Sequence, residues 1–327
     1  MSSSAPQSGP AHGKSASMAS IILAFASLYI FWGTTYTAMR VGVAFMPALL
    51  LAGVRFLISG AILLAWCRWR GFKIAHPPRA LFREALIALL LLGCSNVSLA
   101  YAEKTLPSGL AALFYAVIPL YVALVEMLLP GGETLSARGW LGILVGFAGL
   151  AALLWPSLCT AMTGSSAVTW ALVAIFGGAF SWTVGCIYAR HARRTVPVFV
   201  AAAWQMLFAG LFNSALGTAL GEWPQAHLNR AVAVSMVYLI ICGSLIGYSS
   251  FVFLLEHVPV AKVTSYTWVN PLVAVLMGVL LLHERLASIE IAGMAAIVVA
   301  VILLTTSQIR TRSTPLPIEE LEQLPAD

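Results

Sequence analysis

The chain has 327 residues, of which 60% are hydrophobic and 9% charged, and its mean hydropathy is +0.92. Soluble domains carry roughly 25% charged residues, so a soluble enzyme or a nucleic-acid binder is excluded although the formal net charge is +6. The five cysteines (Cys67, Cys94, Cys159, Cys186, Cys242) stand singly, without metal-ligand or paired spacing, and read as small buried hydrophobes.

About 20 apolar residues span the hydrocarbon core as a helix, and the predicted elements are ten runs that reach or approach that length. Residues 1–17, rich in Ser, Ala and Gly, read as a disordered tail rather than a signal peptide. The first run, 18–39, carries Trp32 and Tyr36 and stops before Arg40. The second, 46–66, holds Arg55 near its middle, where a cation costs about 2.5–3.5 kcal/mol on insertion scales. Such a residue binds a substrate carboxylate, pivots a gating network, or is held structurally by helix carbonyls. In the third run, 84–103, Asn96 and Glu103 lie two turns apart on one face. Asn96 falls at the depth of Arg55, so the two are predicted to be able to meet. Glu103 falls at the rim, as an outer gate or protonatable coupling group, or as a solvated charge beside Lys104.

The fourth run, 109–129, contains Tyr115 and Pro119, and Glu126 near its end is expected to snorkel to water. The fifth, 138–156, is marked by Gly142, Gly146 and Gly149; the sixth, 168–189, by Gly177, Ser181, Trp182 and Gly185. Runs 197–220 and 231–255 carry Gln205, and Gly243 with Gly247; run 261–282 carries Tyr266, Trp268, Asn270 and Pro271, and run 289–306 is the tenth. Residues 307–327 form a second tail.

A proline inside a helix removes a donor and frees the carbonyl one turn earlier, here at Tyr115 and Thr267. Both helices are predicted to kink at mid-membrane and to line a pathway, since freed carbonyls are tolerated only in protein or beside a cavity. Trp32 and Trp182, with Tyr36, Trp204 and Trp268, are predicted to wall a cavity for flat or apolar substrates. The glycine patterns let helices approach closely; the fifth helix then packs within the chain or forms a dimer face, so monomer and homodimer both stand open.

The second half repeats the first. At an offset of 150, Trp32 falls on Trp182, Arg40 on Arg190, Pro47 on Pro197 and Gly60 on Gly210; Arg55 falls on Gln205. At 152, Pro107 meets Pro259 and Pro119 meets Pro271; at 151, Glu133-Thr134-Leu135 meets Glu284-Arg285-Leu286. Five runs per half is odd, so the copies enter the membrane from opposite sides, as in secondary transporters with a site between inverted halves. With the N-terminus inside, 13 Lys and Arg fall in inner segments and four in outer ones, which places both termini in the cytoplasm.

Enzyme chemistry has little to work with. The sole aspartate is Asp327, in the tail, and there is no His-Glu-x-x-His, Gly-x-Ser-x-Gly or phosphate-cradling motif. The histidines lie in tails or near helix ends, so no metal set and no cofactor site are predicted.

Phe31-Trp32-Gly33-Thr34-Thr35-Tyr36, Ala52-Gly53-Val54-Arg55-Phe56, Tyr101-Ala102-Glu103 before Pro107-Ser108-Gly109, and Thr264-Ser265-Tyr266 before Val269-Asn270-Pro271 carry a family likeness. Over residues 20–305 the chain resembles the EamA-domain family of the drug/metabolite transporter superfamily, in its YedA-like branch. The resemblance implies an inner-membrane carrier of ten helices in an inverted repeat, commonly an exporter of amino acids, metabolites or drugs.

The expectation is therefore an all-α integral membrane protein of ten transmembrane helices, in two inverted five-helix repeats at 18–156 and 168–306. It is expected to be a gradient-driven secondary exporter of a small-molecule substrate by alternating access, embedded in the lipid bilayer, with protons as the candidate coupling ion. The alternative is a carrier or flippase of lipid or polyprenyl-linked amphiphiles.

Overall fold

The computed structural model describes residues 17–106, 108–130, 132–161, 166–192, 195–282, 288–307 and 309–311. In chain order it forms α1 (Met18–Val43), α2 (Ala48–Trp69), α3 (Pro78–Ala102) and a broken α4 (Ser108–Tyr115 and Ile118–Leu128). Then follow α5 (Ala137–Ala161), α6 (Ser166–His191), α7 (Val198–Ala219), α8 (Arg230–His257), a broken α9 (Val260–Val263 and Tyr266–Leu282) and α10 (Ser288–Thr305). Among the described residues seven helices are long and apolar enough to cross a membrane: α1, α2, α3, the Ala111–Leu128 part of α4, α6, α7 and α8. Large apolar side chains such as Ile22, Leu144, Trp155, Val173 and Leu211 are exposed on the outside, as expected of a lipid-facing surface.

The repeat is visible in local structure. Pro47 and Pro197 precede α2 and α7 in extended conformation, and Gly71 and Gly221 follow them at φ +81° and +68°. That left-handed turn suits glycine and ends each helix identically. Gly71 N–H bonds to Arg68 O and Phe72 N–H to Cys67 O, as Gly221 N–H bonds to Thr218 O and Glu222 N–H to Gly217 O. Packing repeats as well: α2 lies on α7 and α5 on α10, while α3 against α6 is matched by α8 against α1. Exchanging the halves leaves this pattern unchanged.

Two close approaches explain the helix pairs. A Cβ on Gly53 would stand 2.7 Å from Ser214 N, and one on Gly210 2.6 Å from Leu57 N, so α2 and α7 touch backbone to backbone. The fifth helix, left open between internal packing and a dimer face, packs inside the chain: Cβ atoms on Gly142 and Gly149 would lie about 3 Å from Ala300 O and Gly293 O of α10.

The two prolines differ in setting: Pro119 follows an interruption, whereas Pro271 lies inside a helical piece. α4 breaks at Ala116–Val117, and Pro119 occupies the first turn of its second piece, where its missing N–H costs nothing. α9 breaks at Thr264–Ser265, ahead of Pro271, which lies within the longer piece. Thr264, Ser265 and Thr267 hydroxyls bond to nearby carbonyls and satisfy the broken turns. The helix also widens into π-turns at Leu28–Trp32, Leu89–Ser95 and Leu239–Tyr248. The last two begin at mated positions of α3 and α8.

One expectation needs correction here. Residues 307–327 are not wholly a tail, because β2 (Ile309–Thr311) pairs antiparallel with β1 (Glu133–Leu135), Glu133 opposite Thr311. Most of both expected tails lies outside the described residues, as do Pro107 and Glu284-Arg285-Leu286.

Candidate functional site

Between the halves lies a cavity of about 50 Å³, lined from α1 by Trp32, Thr35, Tyr36 and Met39, from α2 by Arg55 and Phe56, and from α3 by Leu92, Asn96 and Leu99. Tyr115, Trp182, Gly243, Tyr248, Tyr266 and Asn270 complete the wall. All three π-turns contribute to it, a common placement for such widened turns.

Arg55 is 6% exposed, and its Nε donates to Ser244 Oγ at 2.8 Å. Its guanidinium carbon stands 4.8 Å from the centre of the Phe56 ring, and no carboxylate pairs with it among the described residues. Gly243 gives it room: a Cβ there would lie 2.7 Å from Arg55 Nη2. The Gly243 carbonyl accepts from Trp32 Nε1 at 2.9 Å, so the π-turn of α8 holds both groups.

The aromatic side chains interlock edge to face. Trp32 meets Trp182 at 5.7 Å and 75°, and Tyr266 at 4.8 Å and 81°; Tyr115 meets Trp182 at 6.4 Å and 65°. Tyr115 hydroxyl is bonded to Ser95. Several buried polar atoms have no hydrogen bond among the described residues: Asn96 Oδ1, Trp182 Nε1, Tyr266 hydroxyl, and both amide atoms of Asn270. Trp182 Nε1 faces Tyr266, and Asn270 faces Tyr36, but neither pair closes into hydrogen-bond geometry. Buried polar groups are normally satisfied, so this wall keeps bonding capacity for a solute.

Of the nine residues predicted to line the pathway, the structure places eight around this cavity: Trp32, Tyr36, Arg55, Asn96, Tyr115, Trp182, Tyr266 and Asn270. Trp268 is elsewhere. It is fully buried against α5, its Nε1 donating to Ala116 O at 3.1 Å and its ring over Gly146. Trp204 is also remote, stacked on Phe208 and bonded to Ile74 O. Arg55 and Asn96 share the cavity but make no hydrogen bond to each other among the described residues; Arg55 Nε goes to Ser244 instead.

One turn beyond Tyr36 and Leu99 come Arg40 and Glu103, which line a separate vestibule of about 470 Å³ with Lys104 and His227. Glu103 is not a solvated rim charge: it is 2% exposed, and neither carboxylate oxygen is bonded among the described residues. Arg40 instead donates to Leu106 O at 2.9 Å. The mate of Arg40 ties the opposite end. Arg190 Nη1 reaches Glu256 O at 3.0 Å and its Nε reaches Glu133 Oε1 at 3.4 Å. Glu126, expected to snorkel, is buried there, accepting from Glu133 N at 2.8 Å and standing 3.7 Å from His191 Nε2.

Sequence reasoning missed Glu84. It is 5% exposed and accepts from Gln205 Nε2 at 2.5 Å, while Gln205 Oε1 accepts from the cavity residue Tyr248 at 2.6 Å. Gln205, mate of Arg55, thus serves a buried network rather than the cavity wall. The one signal was a carboxylate at the first position of the third apolar run.

The EamA-like transporter family profile matches residues 18–155 and again 169–306. The chain is 38% identical over 281 residues to the uncharacterized inner membrane transporter YedA of Escherichia coli K12, covering 85% of this chain and 88% of the relative. It is 26% identical to the uncharacterized transporter YvbV of Bacillus subtilis, over 92% and 95% of the two chains, and 28% identical to the protein PecM of Dickeya dadantii, over 89% and 94%. A crystal structure at 22% identity superposes with a TM-score of 0.74, over 88% of this chain and 97% of the other, and shares the fold.

Proposed function

The chain belongs to the EamA-like transporter family, and from that premise we propose that it is a secondary exporter of small organic solutes in the inner membrane, working by alternating access. Membership makes it a membrane transporter rather than an enzyme. The observation that carries the finer reading is the enclosed cavity between the halves, where an unpaired buried Arg55 faces unbonded amide, indole and phenol groups.

On this reading all ten helices cross the bilayer as an inverted pair of repeats. α5, α9 and α10 fill the places of the fifth, ninth and tenth crossings, and the self-matching packing of the halves supports the inversion. The excess of Lys and Arg at the Arg190 end supports cytoplasmic termini. The structure is then tied shut on the cytoplasmic side by Arg190 and Glu133, with the vestibule of Arg40 and Glu103 outside. A cavity of about 50 Å³ holds a few waters and no organic solute, so the halves must part to load it, as rocking about a fixed site provides. Glu103, enclosed and unbonded, is the candidate coupling group for protons.

Uptake of amino acids, aromatic metabolites and cationic drugs into inside-out vesicles tests the reading, with and without a proton gradient. Accumulation that collapses with a protonophore supports proton-coupled export. Failure of folded protein to move any solute in either condition removes the reading.

A second reading has one observation behind it. An apolar groove of about 830 Å³ runs between α1 and α8, lined by Val41, Val234 and Tyr238 with Arg230 among its walls. Its shape suits an acyl chain under an anionic headgroup. Movement of labelled lipid between leaflets of proteoliposomes, without solute uptake, would favour that reading.

A further inference from the structure

We propose that the central cavity selects flat aromatic solutes bearing one net negative charge, and rejects the corresponding cations. The proposal rests on the transport reading and specifies the substrate class of the same site.

The charge argument starts from Arg55. Its guanidinium has five N–H donors, and the only protein bond it makes among the described residues is from Nε to the neutral hydroxyl of Ser244. A buried cation without a counter-charge is strongly unfavourable, and an anion brought beside it relieves that cost. No Asp or Glu lines the cavity among the described residues. Glu103 belongs to the vestibule one turn beyond Leu99, and Glu84 is bonded to Gln205 behind the wall. A monoanion therefore brings the site to neutrality, a zwitterion leaves its net charge at one, and a cation doubles it. Charge repulsion of this kind is an effective device against the wrong ligand.

The shape argument comes from the rings. Trp32, Trp182, Tyr115 and Tyr266 meet edge to face, which braces them at fixed angles and favours a planar guest through stacked or edge contacts. The unbonded Trp182 Nε1 and Asn270 amide suit a ring substituent or the second carboxylate oxygen, since together they offer N–H donors and a carbonyl acceptor.

A matched series separates charge from shape: 3-phenylpropionate, phenylalanine and phenethylamine share a ring and chain length but carry charges of about −1, 0 and +1 at neutral pH. Binding to the purified full chain in lipid nanodiscs, followed by tryptophan fluorescence, is expected in that order, with the anion preferred over the cation by about tenfold or more. Arg55→Gln is expected to abolish the order, and Arg55→Lys to keep it at weaker affinity. Equal or tighter binding of phenethylamine to the wild-type protein overturns the proposal, as does an unchanged order in Arg55→Gln or no binding of any of the three by monodisperse protein. Proteoliposome counterflow keeps the two readings apart. Ordered binding without counterflow refutes transport and leaves the charge selection standing, whereas counterflow of phenethylamine alone refutes the selection and leaves transport standing.

Discussion

Trp32 and Trp182 occupy the same position in the two halves of the chain and touch each other, ring centres 5.7 Å apart at 75°. Repeat mates meet when they lie near the axis that relates the halves, so this contact marks the middle of the molecule. Their surroundings differ, however. Trp32 Nε1 is bonded to Gly243 O, whereas Trp182 Nε1 makes no hydrogen bond among the described residues.

That difference predicts unequal effects. Trp182→Phe keeps an aromatic ring but removes an unbonded donor and part of the buried indole, so solute affinity should fall and stability should drop through lost packing alone. Trp32→Phe carries a similar packing loss and also removes a made hydrogen bond, so it should cost about 1 kcal/mol more than Trp182→Phe. Melting temperatures and binding curves on the two variants decide between these outcomes.

Gly243 and Gly177 form a second contrast. Gly243→Ala places a methyl 2.7 Å from Arg55 Nη2, the far end of a flexible side chain, and is expected to push the guanidinium aside at little cost in stability and to suppress transport. Gly177 has open space around its Cβ position, so Gly177→Ala should stabilise α6 by about 0.5–1 kcal/mol with transport intact. A silent Gly243→Ala in vesicle uptake would mean that the guanidinium position is irrelevant to turnover.

At the Arg190 end, Glu126 accepts a backbone N–H from Glu133. Glu126→Gln retains an acceptor, while Glu126→Ala leaves that donor unpaired, a loss of about 1–3 kcal/mol. Hydrogen exchange at residues 133–135 and 309–311 should therefore speed up markedly in the alanine variant and only slightly in the glutamine variant. Equal exchange in both would show that the carboxylate does not hold this strand pair.

The network from Tyr248 through Gln205 to Glu84 predicts a graded series. Tyr248→Phe removes one bond and should lower stability by about 1 kcal/mol. Gln205→Leu strips a bonded donor from a buried carboxylate and should cost more, about 3 kcal/mol or above. Thermal unfolding in detergent tests the order; a Gln205→Leu protein as stable as the wild type would show that Glu84 draws its support elsewhere.

Much of this architecture was legible beforehand because the bilayer imposes it. Continuous apolar runs, the mated prolines and glycines, and an arginine in the middle of a run led to eight of the residues that surround the cavity. Trp268 was misread for an identifiable reason. It sits two residues from Tyr266 and two from Asn270, but a helix turns about 100° per residue, and its indole faces α5 and the Ala116 carbonyl instead of the cavity. Glu84, Glu103 and Glu126 were harder still. Each lies at or near the end of an apolar run, where a carboxylate is ordinarily solvated, yet all three are buried by neighbouring helices.

The sequence by itself determined which segments are helical and apolar, how deep each polar residue lies along its segment, and that the halves repeat, because hydrophobic length and periodicity are properties of a single segment. Only the tertiary structure decided which residues face one another across helices: Ser244 rather than Asn96 beside Arg55, Gln205 with Glu84, and α5 on α10. Depth follows from counting residues along a helix, but the direction a side chain points in the bilayer is settled by close packing between helices, and in lipid no solvent contrast records that choice in the residue pattern.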